Sequence, residues 1–175
     1  MKLCPRVVGF FIASLAVAVL AAGSEDQPAP SSGHVAFPQG YREKFEVLCS
    51  FEKADKEQVV TVYGNDVAAS VKSVSQLPYP YGSVIVMETS SAATDSEGHY
   101  RQDKALGLHV IKKQRGFGEG YQQNRTGEWE YVEYRPSGDY ITPPNKSGVC
   151  AQCHVKAGRE KDFVYGGRFH SDRGK

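Results

Sequence analysis

The sequence predicts an α+β fold, mostly antiparallel β-sheet with a few packed helices. Three observations carry this. Segments 58–63 (QVVTVY), 83–89 (SVIVMET), 106–113 (LGLHVIKK) and 128–135 (EWEYVEYR) are rich in β-branched and aromatic residues, the composition of strands. Eighteen Gly, nine Pro and ten Tyr favour turns and strands over a helical bundle. The stretches between strands suit antiparallel pairs rather than βαβ crossovers. At 175 residues the chain has the length of one domain, and 40 % hydrophobic residues is too much for a disordered one. Lys plus Arg is 21 against 20 Asp plus Glu, so the basic excess of a nucleic-acid binder is missing.

The N-terminus reads as a secretory signal peptide over residues 1–22. Lys2 and Arg6 precede an uncharged apolar run, Val7 to Ala22, that ends in the small residues Ala21-Ala22-Gly23. The run is short for a membrane span. Residues 23–36, polar and Pro-rich, form a flexible linker. The expectation is a soluble periplasmic protein with no membrane contact after cleavage. Cleavage removes Cys4, Lys2 and Arg6, which leaves Cys49, Cys150 and Cys153 and a net charge of −1 (19 basic against 20 acidic).

The ordered domain spans 37–170, followed by a tail at 171–175. Residues 41–51 (YREKFEVLCSF) begin as a helical turn and pass into a strand, with Cys49 a buried strand thiol. The charged stretch 53–56 is a turn, and 58–63 is the second strand. Residues 65–74 (NDVAASVKSV) open with a capping Asn and continue at helical spacing, a short helix. Leu77 to Gly82 is a rigid turn, 83–89 a strand and 90–98 a polar loop. A strand follows within 99–115. GFGEG at 116–120 lacks the Lys of a phosphate loop and follows no βα unit. Residues 128–135 form the last strand, and a loop leads to a short helix.

That helix carries the decisive motif, Cys150-Ala151-Gln152-Cys153-His154. C-x-x-C-H is the attachment site of a c-type haem: two thiols add to the two vinyl groups, and the adjacent His reaches the iron as proximal ligand. A thioredoxin-like motif would follow an early strand. A zinc site would need a second ligand pair, and the sequence has no second C-x-x-C. One covalently bound haem c is the expected cofactor, with His154 its metal ligand.

Several strings in order carry a resemblance. They are Gly40-Tyr41-Arg42-Glu43, the run from Pro80 to Val86, Gly127-Glu128-Trp129, and the haem motif followed by Lys161-Asp162-Phe163-Val164-Tyr165. The chain resembles the cytochrome P-460 family, which includes cytochrome c-prime-beta. The resemblance implies a P-460-like fold, usually homodimeric, with five-coordinate iron open on its distal face. It implies that some members oxidise hydroxylamine while others bind nitric oxide or carbon monoxide. In hydroxylamine-oxidising members a Lys is joined covalently to the ring. The resemblance puts that position five residues after Gly82, at Met87, which has no amine; Lys72 and Lys104 are the nearest alternatives. It also puts the distal carboxylate in the loop before the haem motif, where Asn145 stands with Lys146, and no Glu or Asp lies between Tyr140 and Cys150.

Three readings stay open. The first is a five-coordinate haem protein that binds diatomic ligands such as nitric oxide or takes part in nitrogen-oxide redox chemistry. The second is a hydroxylamine-oxidising enzyme of the P-460 type, with no catalytic residue assigned. The third is a six-coordinate electron-transfer cytochrome with Met87, the one Met of the mature chain, as axial ligand. At the haem edge Met87 would instead pack on the macrocycle. Expected partners are the gas or nitrogen-oxide ligand, a periplasmic electron donor or acceptor, and a second copy of the chain. Candidates for the distal pocket are Asn145, Phe45, Tyr63 and Tyr79, with Phe51 beside them; His99 and His109 are expected in surface or core positions.

Overall fold

The computed structural model describes residues 35–117 and 123–165. The signal segment, Cys4, His34, most of GFGEG, His170 and the tail lie outside the described residues.

Among the described residues seven antiparallel strands form one sheet: β1 (Glu46–Lys53), β2 (Gln58–Gly64), β3 (Val84–Thr94), β4 (Tyr100–Lys113), β5 (Arg125–Thr126), β6 (Trp129–Tyr134) and β7 (Tyr140–Thr142). Their order is β1-β2-β3-β4-β6-β5, with β7 also paired to β6. Among the described residues three short α-helices accompany them, α1 (Tyr41–Lys44), α2 (Asp66–Ala69) and α3 (Gly148–Val155). Single 3-10 turns occur at Ala54–Lys56, Val74–Gln76, Pro144–Lys146 and Arg159–Lys161. The architecture is the α+β, mainly antiparallel fold that strand composition predicts.

Period-two alternation divides the core between the two faces of the sheet. On one face Val62, Ile85, Ile111, Trp129 and Tyr131 pack with Ala68, Ala69, Val71, Ala151 of α3 and Val164. On the other, Tyr63, Val86, Leu108, Val110, Val132 and Tyr134 lie beneath Val35 and Tyr41, with Phe37 and Phe45 at the margin. This second face also buries Glu88, which is 0 % exposed. Glu88 accepts bonds from Tyr41 Oη, from Arg42 Nε at 2.9 Å and from Gln102 Nε2 at 2.6 Å. Burial alone would push its carboxyl up. The bonds from Arg42, Ser90, Tyr41 and Gln102 outweigh that and hold it down to about 2.

Three elements differ from the sequence reading. The predicted helix over 65–74 stops at Ala69. Asn65 caps it by accepting from the Ala68 N–H at 3.0 Å, but the Ser73 N–H donates to the Gln76 side chain at 3.2 Å instead of continuing the ladder. The polar stretch 90–98 is mostly strand. Ser90, Ala92, Ala93 and Thr94 pair with Ala105, Gln102, Arg101 and Tyr100 in a long β3–β4 hairpin, and Asp95 closes the turn by accepting from Glu97 and His99 N–H groups. Finally, β5 and β7 are too short to announce themselves by periodicity.

Candidate haem-binding site

Cys150, Cys153 and His154 ride on α3. Spacing of three and four residues brings Cys150, Cys153 and His154 to one side of a helix. The helix is fastened to the sheet by its backbone: Thr126 Oγ1 donates to the Ala151 carbonyl at 3.0 Å, and at its start Ser147 Oγ donates to the Asn124 and Pro144 carbonyls at 3.1 and 2.8 Å. Both cysteines are free thiols. Burial pushes the Cys150 thiol up to about 11, the opposite of the activation that a redox C-x-x-C needs.

The His154 ring is fixed on three sides. Its Nδ1 lies 2.6 Å from the Phe163 carbonyl, its face lies 4.4 Å from the Tyr131 ring, and Tyr165 stands edge-on at 5.5 Å. Burial lowers its pKa, so the ring is neutral and able to ligate. With Nδ1 given to a carbonyl, Nε2 is the nitrogen left for a metal, the usual arrangement of a ligating His.

These three residues line a cavity of about 320 Å³ with Val149, Tyr165 and a wall of the sheet. The wall consists of Val62, Ile85, Met87, His109, Ile111 and Glu133. Strand register explains the set. Val62 pairs with Met87, Met87 with His109, and His109 with Glu133, one row across four strands. Ile85 and Ile111 form the neighbouring row with Tyr131. The wall is thus apolar except for one couple. His109 Nδ1 lies 2.9 Å from Glu133 Oε1, and Thr142 Oγ1 donates to Glu133 Oε2. Burial lowers the His109 pKa against the pull of the Glu133 charge. Two free thiols, a preset imidazole and a largely apolar wall suit a flat, mostly apolar macrocycle with iron at its centre.

The sequence model of the family described as Cytochrome P460 matches residues 38–166. The chain belongs to the cytochrome P460 family. It is therefore a haem-binding cytochrome, and the cavity beside α3 is where its residues fit that group. No curated protein matches the chain.

The structure separates the residues that sequence reasoning grouped. Met87 does line the cavity. Phe45 and Tyr63 do not: they pack on the other face of the sheet, because Tyr63 is one residue out of phase with Val62. Tyr79 is buried edge-on against Trp129 at 5.6 Å, in the core behind the wall residues Val62, Ile85 and Ile111, and does not line the cavity. Asn145 is exposed in the Pro144–Lys146 turn, where its carbonyl accepts from Asn124 Nδ2. Phe51 is 42 % exposed. Lys72 pairs with Glu46 at 3.3 Å, and Lys104 borders a groove with Arg42 on the far face, so neither lines the cavity. The residues missed are His109 and Glu133. The resemblance points to the loop before the haem motif for a carboxylate, whereas the carboxylate that lines the cavity, Glu133, stands on β6. Their signal was parity: 85, 87, 109, 111, 131 and 133 all point the same way once the strands are paired.

Proposed function

We propose that this protein is a periplasmic mono-haem c cytochrome that binds small diatomic ligands such as nitric oxide or takes part in nitrogen-oxide redox chemistry. Cys150 and Cys153 hold the haem by thioether bonds, and His154 Nε2 is the proximal ligand. The haem would supply a redox-active iron able to take a small ligand. The carrying observation is the cavity itself, which joins α3 to a wall that is apolar but for His109 and Glu133. An apolar wall favours a small neutral ligand over a charged one. Glu133 accepts from His109 Nδ1 and Thr142 donates to Glu133, so Nε2 of the neutral ring is an acceptor that can take a proton from a bound ligand, and once protonated it can donate a hydrogen bond back. The signal-like segment supports the periplasm, and the resemblance supports a homodimer and a periplasmic redox partner.

A second reading, hydroxylamine oxidation, is favoured by the same couple, which supplies acid–base groups. Met87 speaks against it, since it gives the cavity a thioether where the resemblance implies an amine. The test is the reduced spectrum with nitric oxide titration. The proposal expects a high-spin five-coordinate ferrous haem that binds nitric oxide. His109→Phe should speed its dissociation by about 2- to 12-fold, the worth of one hydrogen bond, at acid pH where the His109 ring is protonated, and by less as the ring loses its proton. A low-spin spectrum abolished by Met87→Ala would overturn it in favour of an electron carrier, and a red-shifted ferrous band would restore the enzyme.

A further inference from the structure

The run Lys161-Asp162-Phe163-Val164 follows α3, and of it only the Phe163 carbonyl touches the site as described so far. Its backbone is unusual. Asp162 and Phe163 are consecutive non-glycine residues with positive φ, 51° and 59°, a conformation that side chains disfavour. The chain holds it with bonds from the sheet side. Lys113, the last residue of β4, reaches both Asp162 oxygens from Nζ at 2.8 and 2.7 Å. The Tyr79 N–H donates to Asp162 Oδ2 at 2.9 Å. Lys113 is 5 % and Asp162 6 % exposed, so this is a buried pair on the rigid frame of the fold. Its product is the placement of one atom: the Phe163 carbonyl, 2.6 Å from His154 Nδ1.

We propose that Asp162, held by Lys113, is a positioning residue for the proximal ligand. The buried pair fixes the Phe163 carbonyl, and the carbonyl fixes the His154 ring and takes its Nδ1 proton in a hydrogen bond. That bond makes the imidazole a stronger donor to iron. The pair therefore sets the strength of the iron–histidine bond from outside the cavity. This rests on the reading of His154 as the proximal ligand.

Asp162→Asn and Lys113→Met test it in the holoprotein, with Lys113→Arg as the conservative variant. Covalent haem per chain should equal wild type by pyridine haemochrome. The ferrous iron–histidine stretching band should broaden and move to lower frequency in both variants, and the midpoint potential should rise, because a weaker donor favours ferric iron less. Lys113→Arg should keep the wild-type band. Glu88→Gln, which breaks a buried network on the far face, should lower the melting temperature and leave band and potential alone. Unchanged band and potential in Asp162→Asn and Lys113→Met would overturn the proposal, as would an equal shift in Glu88→Gln. If Asp162→Asn does not fold, Lys113→Met decides by the same band. A wild-type protein with no iron–histidine band would sink the reading of His154 itself, a separate failure.

Discussion

Gly127→Ala is the sharpest perturbation of the frame around His154. Gly127 sits in the two-residue turn between β5 and β6 with φ +57°, and Glu128 follows at +67°, the positive pair that a type I′ hairpin requires. A Cβ there would lie 2.2 Å from Cδ2 and 2.5 Å from Cε2 of Phe163. Ordinary contact begins at 3.4 Å, so the ring must retreat by about 1.2 Å. The left-handed backbone costs about 1–2 kcal/mol with a Cβ, and forcing an atom into packed space costs about 1–3 kcal/mol more. The loss should be about 2–5 kcal/mol in urea unfolding of the holoprotein. Gly98→Ala is the control. Gly98 has φ +84° with nothing within 4 Å of its Cβ position, so only the backbone cost of about 1–2 kcal/mol applies. Because Phe163 carries the carbonyl on His154, Gly127→Ala should also disturb the iron–histidine band, and Gly98→Ala should not. Equal losses in the two variants, with the band unmoved, would mean that the Phe163 ring does not limit this turn and does not link it to His154.

Other expectations are independent of that turn. Glu88 titrates near 2 in the fold against 4.5 in the unfolded chain, so its ionised form stabilises above about pH 4.5. That contribution, of the order of 3 kcal/mol, is lost as pH falls from 4.5 towards 2; acid unfolding should show it, and Glu88→Gln should flatten that limb. Met87→Ala should leave the ferrous spin state unchanged, since Met87 packs as part of the wall; a low-spin to high-spin change in the absorption spectrum would say that it ligates iron. Glu133→Gln should accelerate nitric oxide dissociation at acid pH in the same direction as His109→Phe, because it removes the charge that favours the protonated, donating form of His109; stopped-flow displacement measures both. Cys49→Ala should retain full covalent haem, because Cys49 packs against the core and is no part of the cavity lining.

How far the sequence could be read follows from how local each feature is. The haem motif is a pentapeptide whose chemistry is complete within one turn of helix, so Cys150, Cys153 and His154 stand out without any fold. The central strands announce themselves by β-branched and aromatic runs. The cavity wall is different in kind. His109 and Glu133 meet only because β4 pairs with β6 in one register, and 24 positions separate them. Tyr63 and Phe45 were natural pocket candidates by type, yet a single step of phase puts Tyr63 on the other face of the sheet from Val62. The short reach of α2 has a local cause, the Gln76 side chain competing for backbone donors, and no periodicity count registers it. Asp162 could be seen as part of a recurring string, but its work depends on Lys113, which lies 49 positions earlier.

A haem covalently attached in the cavity beside α3 underlies every role given to Cys150, Cys153 and His154. Pyridine haemochrome analysis of the purified protein after acidic acetone extraction tests this most directly. One haem per chain should stay with the polypeptide, with the spectrum of two saturated vinyl groups, and should be lost in Cys150→Ala/Cys153→Ala. Haem that extracts completely from the wild type, or none at all, would contradict it.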